Sequence, residues 1–435
     1  MPDPAALLTA LGTATPPQGG YVKSVRGILA EATGIEIPLG GLAEIETRGA
    51  FIPAEIVGFK SDSVQLMPLI TMRGIAPGNR VWPLARRASV SAGDFLLGRV
   101  IDAMGQPIDD GPAFPPGHPA PLYPDPIPPM ERPILSQPLE VGVRSIDSML
   151  TLARGQRIGL FSASGVGKST LLGMMVRGTN ADVRVFALIG ERGREVREFI
   201  DRELGDARGT TVVVAVPSDS SPLLRTRGAY VATAIAEYFR DQGRDVLLLM
   251  DSVTRFAFSA REIGLARGEP ATTKGYTPSV FAELPMLIER AGRLEHGSIT
   301  AIYAVLVEGD DMEDPVADAL RGVLDGHIVL SRALAERGHY PAVDILGSLS
   351  RAMATVTSLP QRELAARLRR LLAAYRDAED LIQVGAYAKG SDPEVDEAIS
   401  RRSALDAFLR QDARETVPMS SSLIELDRTL TETVQ

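Results

Sequence analysis

Ser162-Ala163-Ser164-Gly165-Val166-Gly167-Lys168-Ser169-Thr170 stands directly after the apolar run 158–161 and directly before Leu171-Leu172-Gly173-Met174-Met175. Apolar run, glycine-rich loop and second apolar run, in that order, are a strand, a loop and a helix start. The loop has the makings of a phosphate cradle. Backbone N–H groups converge at a helix N-terminus, small residues let an anion approach the backbone, and a lysine and a hydroxyl can serve phosphate charge and magnesium. Gly165, Gly167, Lys168 and Ser169 meet these needs, with Val166 and Thr170 in the same stretch. The strict pattern of glycine, four residues, glycine, lysine and hydroxyl is broken at its first position, where Ser162 replaces glycine. A plain Gly/Ser turn would explain the glycines but leaves Lys168 unexplained.

Around this loop the chain changes character three times. Residues 1–20 read as an appendage: 4–11 can form a short helix with Leu7, Leu8 and Leu11 on one side, followed by a flexible run over 13–20. From 21 to about 87, short β-like stretches at 42–47, 54–60 and 63–69 are separated by Gly, Pro and Asp turns, which predicts a small barrel. Prolines crowd 111–138, so this segment is expected to be an extended strap over the next domain and not a regular element. Apolar strands at 157–163, 183–189, 211–216, 246–250 and 298–307 then alternate with helical patterns, the mark of a mainly parallel sheet with helices on both faces. After Arg351, Leu364, Leu368, Leu371, Tyr375 and Ile382 recur mostly at helical spacing. Asp392-Pro393 is a cap and first-turn proline leading to Val395, Ile399, Leu405 and Leu409. The predicted organisation is an arm at 1–20, a β-barrel at 21–90, an α/β phosphate-loop unit at 91–353 and a helical part at 354–435.

Composition excludes several classes. The chain has 435 residues, long enough for about three cores, and no cysteine, so it has neither a disulfide framework nor a cysteine nucleophile. His118, His296, His327 and His339 lie far apart without ligand spacing. No stretch of about 18 apolar residues occurs and the first twenty residues hold no Lys or Arg, so neither a membrane span nor a signal peptide is expected and the chain is placed in the cytoplasm. The net charge of −9 argues against a nucleic-acid partner.

Two further stretches bear chemistry. The apolar run 246–250 ends in Asp251, and a carboxylate at the end of a buried strand can hold magnesium through water beside a phosphate loop. A turn-capping aspartate would look the same. Gly190-Glu191-Arg192 ends another strand, where Glu191 could polarise an attacking water, although a solvated charged turn has the same appearance.

Pro341-Ala342-Val343-Asp344, followed after three residues by Ser348-Leu349-Ser350-Arg351, resembles the signature of the rotary ATP synthase nucleotide-binding subunits and their relatives, the type III export ATPases. The resemblance covers nearly the whole chain after about residue 21. It implies a RecA-like phosphate-loop core preceded by a small β-barrel and followed by a helical C-terminal domain. It also implies a magnesium-dependent ATPase, with ATP and Mg2+ as ligands. By that resemblance Lys168 contacts the β- and γ-phosphates, Ser169 ligates magnesium, Asp251 is the magnesium-associated aspartate and Glu191 the catalytic glutamate, with Arg192 beside it counted among the catalytic residues. Tyr340 packs on adenine, and Arg351 is an arginine finger supplied by a neighbouring subunit. Non-catalytic subunits carry glutamine where Glu191 stands, so the chain resembles the hydrolysing kind.

The stretches 252–257, 275–281 and 385–393 look like the flagellar export ATPase, with the virulence-secretion ATPases close behind. The family usually has Ala-Gly where this chain has Ser162-Ala163. The implied partners are a homohexamer, a central stalk protein, a stator-like regulator at the N-terminus, and the export gate with its substrates or chaperones. The implied place is peripheral to the membrane at the base of the flagellar export apparatus. A nucleic-acid translocase of the transcription-termination type shares the core, but an acidic chain without an aromatic-rich basic groove disfavours it.

Overall fold

The computed structural model describes residues 19–432 except 71, 85–86 and 308–313. The arm expected at 1–20, with Leu7, Leu8 and Leu11, lies almost wholly outside the described residues.

Six strands, Gly20–Arg26, Leu29–Thr33, Leu42–Thr47, Ala50–Lys60, Ser63–Pro68 and Arg80–Pro83, close into a barrel in the order first, second, fifth, fourth, third, sixth. Closure removes the sheet edges that strands this short would otherwise expose. Small and branched side chains fill it, among them Val22, Ala30, Ala43, Ile45, Ile52, Ile56, Leu66 and Val81. The fourth strand starts at Ala50, earlier than the sequence pattern suggested, because Arg48 and Gly49 turn the hairpin that pairs Thr47 with Ala50, with Gly49 at φ +113°.

The strap is as extended as its prolines require, with one addition. His118–Pro121 pairs antiparallel with Ser89–Ala92, a two-stranded ribbon in which prolines can turn their missing N–H outward. Farther on, Arg132 donates to the carbonyls of Glu289 (2.6 Å) and Ala291 (3.2 Å), fastening the strap to the end of the helix Pro278–Ile288.

The central sheet runs in the order Leu349–Ser350, Gly326–Leu330, Arg157–Ser162, Ser298–Leu306, Asp245–Asp251, Val183–Ile189, Thr211–Val216 and Val100–Ile101. These eight are parallel except Leu349–Ser350, which runs antiparallel at the edge, and a short ninth strand, Gly292–Arg293, pairs antiparallel with Ser298–Leu306. The strand bodies are buried on both faces, as their near-continuous apolar runs require. Helices Pro222–Asp241, Val253–Arg267 and Pro278–Ile288 share one apolar core with one face of the sheet. Helices Lys168–Gly178 and Gly193–Arg202 share another with the opposite face.

The C-terminal helices Leu359–Gln383, Pro393–Leu409 and Met419–Thr431 join that second core through Leu368, Leu371, Leu405, Phe408, Leu426 and Leu430. Asp392 caps its helix as its place before Pro393 predicts, accepting from the N–H of Glu394 and Val395. Ile399, expected on the apolar face of that helix, is instead 36% exposed.

Candidate active site

Parallel strands bring their carboxyl ends to one edge, and there the phosphate loop, Glu191 and Asp251 meet. Leu188 pairs with Asp251, which sets Glu191 three residues beyond that rung. Gly165 and Gly167 have φ values of +81° and +93°. A Cβ on Gly165 would meet nothing within 4 Å, so the space over the loop is open to a ligand. The helix Lys168–Gly178 starts without a side-chain cap, leaving its first N–H groups for an anion. Ser169 is exposed at the second helical position, Thr170 is half-buried and Val166 is packed into the core. Ser162, which breaks the strict pattern, lies in the strand, is buried, and its Oγ has no hydrogen-bond partner among the described residues. The substitution thus falls behind the loop, and the half from Gly165 onward keeps its form.

Lys168 Nζ pairs with Asp251 Oδ1 and stands 3.9 Å from Glu191 Oε1. One cation faces two carboxylates. Burial pushes the Glu191 carboxyl up to about 7, the charge of Asp251 and then Glu195 add to the shift, and Lys168 opposes it. Glu191 Oε1 is buried with no hydrogen-bond partner among the described residues. Asp251 joins Ser252 through a cis peptide bond, and Ser252 Oγ caps the helix Val253–Arg267 by accepting from Arg255 N at 3.3 Å. The exposed Ser169 hydroxyl and the Asp251 carboxylate are hard oxygen donors on adjoining elements, a set that fits magnesium.

Tyr340 lies against the loop. Its ring is what a Cβ on Gly167 would touch, at 3.4 Å, and the residue is 46% exposed.

Arg192 is not brought into this cluster. Its side chain is 83% exposed and sits 3.5 Å from Glu195. Arg351 lies elsewhere still. Ser162, at the loop, pairs with Leu330, whereas Arg351 N donates to the carbonyl of Asp325 at 3.0 Å. From Leu330 back to Asp325 is about 16 Å of strand at about 3.3 Å per residue. Arg351 is therefore exposed at the opposite edge of the sheet from its own phosphate loop.

Arg255 has a closer claim on the site than sequence reasoning gave it. A Cβ on Gly190 would stand 2.9 Å from Arg255 Cβ, so the arginine packs on the turn that carries Glu191, and its Nε is buried without a hydrogen-bond partner among the described residues. The signal was available in the sequence, an arginine in the first turn of the helix that follows Asp251, but nothing there says the turn reaches Gly190.

The model of the ATP synthase alpha/beta family nucleotide-binding domain matches residues 142–350, and that of the T3SS EscN ATPase C-terminal domain matches 357–428. The flagellum-specific ATP synthase of Bacillus subtilis is 50% identical over 412 residues, covering 94% of each chain. The type 3 secretion system ATPase of Xanthomonas euvesicatoria is 50% identical over 395 residues, covering 90% of this chain and 89% of that one. The assembled ATPase EscN of the enteropathogenic E. coli type III secretion system superposes with a TM-score of 0.90 at 42% identity, over 95% of this chain and 100% of EscN. EscN in complex with its central stalk EscO superposes at 0.88.

Proposed function

The chain belongs to the ATP synthase alpha/beta family, among the type III export ATPases, and from that premise we propose that it hydrolyses magnesium-bound ATP in a homohexameric ring at the base of a flagellum. The observation that carries the chemistry is the cluster Lys168, Asp251 and Glu191 at the phosphate loop, with Glu191 Oε1 buried and without a hydrogen bond among the described residues.

In this reading the backbone of 165–170 cradles the phosphates, and Lys168 turns from Asp251 to the β- and γ-phosphates. The Ser169 hydroxyl and the Asp251 carboxylate would hold a magnesium ion, which would neutralise phosphate charge. Glu191, with its carboxyl near 7, is poised to orient and deprotonate the attacking water. Tyr340 stacks on adenine. Arg255 and Arg192 support the turn around Glu191, Arg255 by packing and Arg192 from the surface.

Arg351 serves the neighbouring protomer. Its place at the opposite sheet edge favours action across an interface, and head-to-tail contacts close into a ring when the rotation allows. The solved EscN complex with a central stalk supports a stalk partner for this chain. A stator-like regulator on 1–20, the export gate and the export substrates complete the proposed partners. The division at 1–20, 21–90, 91–353 and 354–435 is likewise proposed. Among the described residues no helix is long and apolar enough to cross a membrane, in keeping with a peripheral place at the export apparatus. The flagellar branch rests on 252–257, 275–281 and 385–393, and deletion of the gene should abolish flagellar filaments.

The test of the shared site mixes Arg351→Ala protein with Glu191→Gln protein. Each alone should be nearly silent, since a finger contributes about 10³- to 10⁵-fold in rate. Mixed rings hold some interfaces where an intact Glu191 faces an intact Arg351, so part of the phosphate release should return. Subunit exchange without any recovery would overturn the shared site, provided that titrating wild-type rings with either variant lowers activity in proportion to the sites lost.

A further inference from the structure

One link from the C-terminal helices to the phosphate loop runs through Gln411 and Tyr340. Gln411, just past the helix Pro393–Leu409, is 6% exposed, and its hydrogen bonds tie three segments together. Its backbone N–H donates to the carbonyl of Tyr340 at 3.0 Å. Its side-chain Oε1 accepts from the N–H of Arg144 at 2.7 Å, and its Nε2 donates to the carbonyls of Gly142 (2.8 Å) and Glu415 (2.9 Å). Arg144 returns the grip. Its Nη1 donates to the carbonyls of Phe408 (3.1 Å) and Arg410 (2.9 Å), closing the end of the same helix, and its guanidinium stands 3.3 Å from Glu415 and 3.0 Å from Glu425.

A buried side chain held by three hydrogen bonds cannot shift without leaving polar groups unpaired, so the backbone it anchors is fixed as well. That backbone holds Tyr340, and Tyr340 lies against Gly167. We propose that Gln411 is a positioning residue for nucleotide binding, holding the Tyr340 ring over the phosphate loop, so that the seating of the C-terminal helices sets the affinity for the base. The inference rests on the proposed role of Tyr340. It predicts that loosening the helical segment weakens nucleotide binding without touching the cluster of Lys168, Asp251 and Glu191.

A double-mutant cycle on the full chain tests it, read by KM for MgATP, kcat, and the dissociation constant of a ribose-labelled fluorescent ADP. Gln411→Ala should raise KM and the dissociation constant by roughly three- to tenfold while kcat stays within about twofold. Tyr340→Ala should raise both by at least as much. The double variant should bind no more weakly than Tyr340→Ala alone, because the two changes remove one effect. Should Gln411→Ala fail to fold, Gln411→Glu keeps the acceptor for Arg144, loses the donors to Gly142 and Glu415, and should move KM in the same direction. If Tyr340→Ala raises both constants but the Gln411 variants leave them unchanged, or if the two effects multiply, the positioning role of Gln411 is overturned and Tyr340 keeps its own. If Tyr340→Ala itself changes neither constant, the reading of Tyr340 falls first and takes the inference with it.

Discussion

Two buried ionic clusters in this molecule are built from similar groups and are balanced differently. Between barrel and core, Arg227 Nη1 meets Glu55 Oε2 at 3.2 Å, Arg227 Nε donates to the carbonyl of Ala103 at 3.1 Å, and Tyr123 donates its hydroxyl proton to Glu55 Oε1 at 2.9 Å. One cation faces one carboxylate, and both oxygens of that carboxylate are answered. At the phosphate loop, Lys168 faces both Asp251 and Glu191, and Glu191 Oε1, 3.9 Å from that lysine, accepts no hydrogen bond among the described residues. Burial pushes both glutamates up. At Glu55 the neighbours Arg227 and Tyr123 pull back, whereas at Glu191 the charge of Asp251 pushes further. A fold that satisfies one buried carboxylate and leaves another unsatisfied marks the second as the place where a ligand is expected. The first cluster fastens the barrel and the strap residue Tyr123 to the helix Pro222–Asp241, and it has nothing left to offer a substrate.

The contrast can be broken most directly at its cations. Lys168→Ala removes the counter-charge at the loop, and turnover per folded molecule should fall by about 10³-fold or more, with weaker nucleotide binding. Phosphate release near the wild-type rate would end the phosphate-loop reading. Arg227→Leu should do the opposite, costing stability and not chemistry. It leaves Glu55 buried without its cation, a loss of about 3–5 kcal/mol, seen as an earlier transition in chemical denaturation while kcat per folded molecule persists. Adding Glu55→Gln should recover part of the loss. An unchanged transition in Arg227→Leu would mean that the barrel is held by its apolar contacts alone.

Smaller effects sharpen the difference. With a carboxyl near 7, Glu191 loses its basic form as pH falls, so kcat/KM of wild type should decline about tenfold per pH unit below about 7. A limb that survives intact in the residual activity of Glu191→Gln would assign it to another group. The smallest effect is thermal. The folded value near 7 lies above the reference of 4.5, so the stability Glu191 contributes is fully present below about 4.5 and is lost as pH rises through 7. Glu191→Gln should therefore gain melting temperature over wild type at pH 8 and lose that gain at pH 5, as differential scanning would record.

Much of this was legible in the chain. The apolar runs fixed the strands at 183–189 and 211–216 to the residue, because a strand buried on both faces leaves an uninterrupted record of itself. The cap at Asp392, the left-handed glycines of the phosphate loop and the carboxylate ending the strand Asp245–Asp251 are likewise local facts, set by residues adjacent in sequence. The pairing of Lys168 with Asp251, the packing of Arg255 on Gly190 and the grip of Gln411 on Tyr340 join residues far apart along the chain. So does the distance of Arg351 from its own loop, which comes from an edge strand running antiparallel to its neighbour. Nor could the sequence say which buried charge would be balanced. Glu55 and Glu191 are the same side chain, and only tertiary packing, by placing an arginine and a tyrosine at one and a second carboxylate at the other, made the first a fastening and the second a candidate base.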